Sequence, residues 1–150
     1  MHTLNGFDGY RSTHSDLRQM IDDLRALLTA EQLRIRPNAQ IAYEMLCDLG
    51  ERVRRHLAEE DCGLYPNLLI HEDPKVKSLA WHFISGEKPL RQTFDDYYGR
   101  WLKNCDFNFS AEFLAETHEV FDMVGQRIDR EEQVLIPKLV EIGMLRAARC

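Results

Sequence analysis

The chain has 150 residues, 44% of them hydrophobic and 29% charged, which is enough for one core of ordinary domain size under a solvated surface. Its formal net charge of -6 includes no basic block, which argues against nucleic acid and against an anionic membrane as partners. The opening residues MHTLNGFDGY do not read as a secretory signal, and no apolar run approaches the ~20 residues of a membrane span.

Four segments carry helical periodicity, and none shows sustained alternation. The first is predicted from about Asp8 to Ala30, with Tyr10, His14, Leu17, Ile21, Leu24 and Leu28 on one face. Pro37 and Asn38 mark a break. The second runs from about Ala39 to Cys62 on a stripe of Ile41, Met45, Leu49, Val53, His56 and Glu60, and Gly63 and Pro66 are expected to end it. The third starts at Pro74 with Asp73 as N-cap, and its inner face reads Leu79, His82, Gly86, Leu90, Phe94, Tyr97 and Trp101. Pro89 falls inside this pattern and is expected to kink the helix. The fourth runs from near Ser110 to about Ile136, with Val120, Val124, Arg127, Glu131 and Val134 on its stripe and Phe121, Ile128 and Leu135 beside it. Pro137 and Gly143 leave a short tail. The expected fold class is all-α: an up-down-up-down four-helix bundle, its third helix kinked at Pro89, in a single domain over 1–150 with its core at about 8–137. A three-helix core with a broken third helix is the alternative.

The inner stripes should be apolar, because an unpartnered buried charge is costly. They break that rule at one depth. His14 lies near the start of the first helix, His56 and Glu60 near the end of the second, His82 near the start of the third and Glu131 near the end of the fourth. In an up-down bundle all these positions fall at one end. His56 and Glu60 are four apart and share a helix face. Neutral imidazole and ionised carboxylate suit iron, manganese or zinc. Without thiolates, and with two carboxylates able to bridge, iron is the first choice. A buried ion-pair network of the same residues is the competing reading.

The second and fourth helices end alike. His56-Leu-Ala-Glu-Glu60-Asp-Cys-Gly-Leu-Tyr-Pro66 lies without gaps over Arg127-Ile-Asp-Arg-Glu131-Glu-Gln-Val-Leu-Ile-Pro137. With these motifs the chain resembles the hemerythrin/HHE cation-binding family. That family carries a His on the first helix, HxxxE on the second, a His on the third and HxxxE on the fourth. The resemblance covers about Asp8 to Pro137 and implies a non-haem di-iron site, with carboxylates bridging and histidines capping. It also implies binding or sensing of oxygen, nitric oxide or a related redox signal. Here the implied ligands are His14, His56, Glu60, His82 and Glu131, and the fourth-helix histidine is Arg127. Arginine stays protonated and offers no lone pair, so it cannot ligate. The site is therefore expected to hold two irons with one short of a ligand, or one iron with the Arg127 guanidinium in the second cation's place and paired with Glu131 or Glu60; a site without metal is the third possibility.

Other polar residues are read as structural. His118 lies about 20 Å along the axis from Glu131 and is a boundary residue. His71 is a surface loop residue and Tyr10 a packing neighbour of the ligands. Trp81 is read as interface or core. Cys47, Cys62, Cys105 and Cys150 form no CxxC pair, so reduced thiols in a cytoplasm are the expectation. No ExxH pair of the ferritin-like type occurs. A metal-dependent binder or sensor of a diatomic ligand is the leading function, ahead of a redox enzyme. A metal-depleted regulatory bundle with a buried Arg-Glu-His network is the alternative. Any signal would pass to a protein partner or through a homodimer.

Overall fold

The computed structural model describes residues 7–84, 90–103 and 108–143, with side chains from Thr13 onward. The helices are α1 Phe7–Leu27, α2 Ala30–Leu33, α3 Arg36–Glu59, α4 Tyr65–Leu69, α5 Pro74–Ile84, α6 Leu90–Tyr97, α7 Ala111–Arg130 and α8 Ile136–Glu141. Widened π-helical turns at Glu60–Leu64, Tyr98–Leu102 and Glu131–Leu135 follow α3, α6 and α7. No strand occurs among the described residues, so the fold is an all-α bundle.

Local chemistry sets the helix starts. Ser110 Oγ accepts from the Phe113 N–H at 3.1 Å and opens α7. Asp73 Oδ1 accepts from the Lys75 N–H at 2.9 Å, and Pro74 is the first residue of α5. Pro37 is the second residue of α3, where no N–H is needed, so this helix starts at Arg36 rather than at Ala39.

The helix ends differ from the sequence expectation. Pro66 and Pro137 do not stop the chain's helices. Each stands second in the helix that follows a widened turn, in α4 and α8 respectively. A proline ring clashes with the carbonyl four residues back in a regular α-helix. Here the Tyr65 N–H reaches the Glu60 carbonyl and the Ile136 N–H reaches the Glu131 carbonyl, a five-residue step. The wider turn just ahead of each proline gives its ring room. The extra residue also moves the inner face. Val134 is 49% exposed, and Leu135 takes the buried place expected of it. Ile41 is likewise exposed, and Ala42 and Leu46 face the core from α3.

Each of α1 and α6 packs against both α3 and α7. Between them lies an apolar cluster that includes Leu17, Leu24, Leu46, Val53, Tyr97, Phe113, Phe121 and Val124. A second cluster joins α4, α5 and α8 through Tyr65, Leu68, Val76, Ala80, Phe83, Ile136 and Leu139. Along the chain, His56 and Glu60 fall between Val53 of the first cluster and Leu64 of the second. Glu131 likewise falls between Ile128 and Leu135. The polar layer thus separates two apolar ones.

Three further expectations need comment. The kink at Pro89 lies outside the described residues, as does the structure around Gly86. Cys47 is disulfide-bonded, while Cys62 is free and exposed. The reading of four reduced thiols is corrected accordingly, and the cytoplasmic expectation loses the support it drew from them. No helix among the described residues is long and apolar enough to cross a membrane.

Candidate metal centre

Four of the residues singled out in the sequence meet in the polar layer. His14 comes from α1, His56 from the last turn of α3, and Glu60 and Glu131 each open a π-helical turn. π-Turns of this kind recur at functional sites. All four side chains are buried, at 3% exposure for each histidine and 1% for each glutamate. Each offers a ligand atom, and these atoms lie within 4.8 Å of one another.

His82 does not join them. It is exposed on α5, whose buried face is Val76, Ala80 and Phe83. The expected stripe ran continuously from Leu79 to Phe94 through Pro89. In the structure α5 takes its register from the second apolar cluster, independently of α6, and this turns His82 outward.

The Nε2 atoms of His14 and His56 face each other at 3.0 Å. Glu60 Oε2 stands 3.5 Å from His14 Nε2 and 3.3 Å from His56 Nε2, and Glu131 Oε1 stands 3.3 Å from His14 Nε2. Two ligand atoms each ~2.1 Å from one ion are ~3.0 Å apart at a right angle and ~3.4 Å apart at the tetrahedral angle. The observed spacings match neighbouring ligands around one point. Glu60 Oε1 and Oε2 and Glu131 Oε1 are buried and have no partner in hydrogen-bond geometry. Buried carboxylate oxygens normally have one. The donor set and these oxygens therefore fit a cation.

The surroundings orient the ligands. Glu132 Oε1 lies 2.8 Å from His14 Nδ1. A carboxylate can only accept, so the proton is on Nδ1 and the Nε2 lone pair of neutral His14 is free to point inward. The Tyr65 hydroxyl donates to Glu131 Oε2 at 2.5 Å. Arg127, 8% exposed, sends Nη2 to Asp61 Oδ1 at 3.2 Å and lies over the Tyr65 ring at 5.0 Å. The charges shift one another strongly. Burial alone would disfavour the charged form of His14, but Glu131, Glu60 and Glu132 outweigh it and push its pKa up to about 10. Burial and the charge of Glu60 raise Glu131 to about 8. Burial opposes ionisation of Glu60 too, yet the imidazoles of His14 and His56 hold it well below the usual carboxylate range. Burial, Glu131 and Glu60 keep the Tyr65 phenol protonated.

A family model described as the hemerythrin HHE cation-binding domain matches residues 5–139. The chain belongs to this family. Comparison with curated proteins and with solved structures gives no match. Within this HHE domain His118 and His71 have other tasks. His118 Nε2 contacts the Leu28 carbonyl at 2.9 Å, just past α1, and His71 Nδ1 accepts from the Asp73 N–H at 3.0 Å ahead of α5. Trp81 is exposed rather than core. The expected role of Tyr10 falls on a side chain outside the described set.

Glu132, Asp61 and Tyr65 were not identified from the sequence. A signal for two of them was present: the overlay of the two helix ends places Glu60-Asp61 over Glu131-Glu132. On a regular helix the second residue of each pair points about 100° away from the first, which reads as solvent-facing. Both are only half-buried, so they reach the layer from its rim.

Proposed function

We propose that this HHE domain is a non-haem iron protein that binds or senses oxygen or a related diatomic ligand, with His14, His56, Glu60 and Glu131 holding the metal. The observation that carries this reading is the convergence of two imidazole nitrogens and two carboxylates on one buried point. Iron is preferred because the set is imidazole and carboxylate without thiolate. A bound iron ion would supply redox activity and an open coordination position for a small ligand.

The chain's own residues set the conditions there. Glu132 fixes the His14 ring, and Tyr65 keeps a proton beside Glu131. The two apolar clusters exclude bulk water on either side. Two clefts reach the outer edges of the histidines. One of about 280 Å³ is lined by His14, Arg18, Asp129 and Glu132, and one of about 190 Å³ by Thr13, Leu17, Arg55 and His56. Each has room for several water-sized molecules, so a diatomic ligand is small enough to enter either cleft.

Protein purified from iron-supplied cells, then reduced without oxygen, is the test material. Metal content and the absorption change on adding oxygen or nitric oxide are the readouts. The reading requires stoichiometric metal that is lost in the double variant His56→Ala, Glu60→Ala, and a spectral response to the gas. Protein free of metal after iron loading counts decisively against it.

A second reading has one specific observation in its favour. Arg127 pairs with Asp61, Glu60 and Glu131, and both glutamates pair with His14, so the buried carboxylates have protein cations beside them, as a metal-depleted regulatory bundle would require. The same metal measurement separates the two.

A further inference from the structure

We propose that the guanidinium of Arg127 occupies the place of a second cation, so that this domain holds one metal ion where its two bridging-type carboxylates could otherwise hold two. The inference rests on the metal-binding reading above and deepens it. Its foundation is how the two carboxylates divide their oxygens. Glu60 turns Oε2 toward His14 and His56, and Oε1 toward Arg127 Nη2 at 3.5 Å. Glu131 turns Oε1 toward His14, while its Oε2 accepts from the Tyr65 hydroxyl at 2.5 Å and lies 3.8 Å from Arg127 Nε as an ion pair. Glu60 thus bridges from both imidazoles to the guanidinium, and Glu131 from His14 to the guanidinium. A bridging carboxylate has a cation on each side, and here one side already has a permanent one.

The position of Arg127 is built rather than incidental. It precedes Glu131 by four residues, as His56 precedes Glu60. The side chain is buried, hydrogen-bonded to Asp61 and stacked over Tyr65. Charge points the same way. With an ion bound and both glutamates ionised, Glu60 and Glu131 are flanked at the rim by the half-buried Asp61 and Glu132, and the Arg127 guanidinium supplies beside Glu60, Glu131 and Asp61 the positive charge that a second ion would otherwise bring. The group of ligating side chains found among the described residues also offers no imidazole on the guanidinium side.

The experiment loads the purified 150-residue chain with manganese(II) alone, then with iron(II) alone under anaerobic conditions. Elemental analysis gives metal per chain, and electron paramagnetic resonance distinguishes an isolated manganese(II) ion from an exchange-coupled pair. One ion per chain with an uncoupled signal is expected. Two ions with a coupled signal would overturn the inference and leave the metal reading intact. No ion overturns both. Arg127→Lys keeps the charge and should remain at one ion; a rise to two would overturn the inference. Arg127→His removes the permanent charge and places an imidazole beside Asp61, Glu60 and Glu131. It should raise the count toward two and produce coupling. An Arg127→His protein that is folded by circular dichroism and still holds one ion would show that the guanidinium is not what excludes the second.

Discussion

His14 on α1 donates from Nδ1 to the Glu132 carboxylate at 2.8 Å, across 118 positions of sequence. The bond fixes the ring in the tautomer whose Nε2 faces His56, Glu60 and Glu131. Partners of this kind, one bond removed from a metal, typically contribute 10–100-fold to affinity. Glu132→Gln should therefore weaken metal binding by roughly 10–100-fold while the helical content holds. Competition with a chelator of known affinity measures it. An unchanged affinity would show that Glu132 is a surface residue with no hold on the site.

Arg127 makes a separate prediction about stability without metal. Its side chain is 9% exposed and is the one guanidinium in contact with both Glu60 and Glu131 among the described ion pairs. Removing one partner of a buried ionic group costs about 3–5 kcal/mol. Arg127→Met should lower the metal-free unfolding free energy by about that amount in urea. Adding metal should recover part of the loss, because an ion then compensates the carboxylates. A loss below about 1 kcal/mol, the size of an exposed pair, would contradict this burial argument.

The pH dependence of the metal-free domain follows from the same charges. His14 is raised from 6.5 to about 10, so its contribution is fully present below 6.5 and is lost as pH rises toward 10. Glu131 is raised from 4.5 to about 8, so the folded state keeps its proton longer and loses stability over that interval. Glu60, lowered from 4.5, adds stability above that value that fades in acid. Urea midpoints should therefore fall between pH 6.5 and 10, each proton adding a slope of at most about 1.4 kcal/mol per pH unit. Metal displaces these protons, so metal affinity should rise over the same range. Metal-free midpoints that climb from pH 6.5 to 9 would be incompatible with this assignment.

The π-turn after α7 predicts a contrast between neighbours. Leu135 is fully buried and Val134 is 49% exposed. Leu135→Ala should cost about 2–5 kcal/mol by leaving a cavity in the second cluster. Val134→Ala should change stability by about 0.5 kcal/mol or less. Thermal or urea melts of the two variants decide the register, and a reversed order would place Val134 inside.

The sequence by itself determined the main helices and pointed to most residues of the candidate metal centre. Helix starts depend on local capping groups such as Ser110 and Asp73, and apolar spacing of three and four marks the inner face of α1 from His14 to Leu28. His56 and Glu60, four apart on one helix, and Glu131 in the matching helix end were legible because both relations are short-range. Only the tertiary structure decided the rest. The widened turn at Glu131 swung Val134 out of the expected stripe while Leu135 stayed inside, and the widened turns carried helix past Pro66 and Pro137. The outward turn of His82 was decided by the packing of α5 against Tyr65 and its neighbours, a register that no spacing within α5 encodes. The tasks of Glu132 and Asp61, half-buried at the rim, exist only because α1 and α7 bring His14 and Arg127 to them. Contacts between residues distant in sequence depend on how helices pack, and helix packing is a property of the whole core.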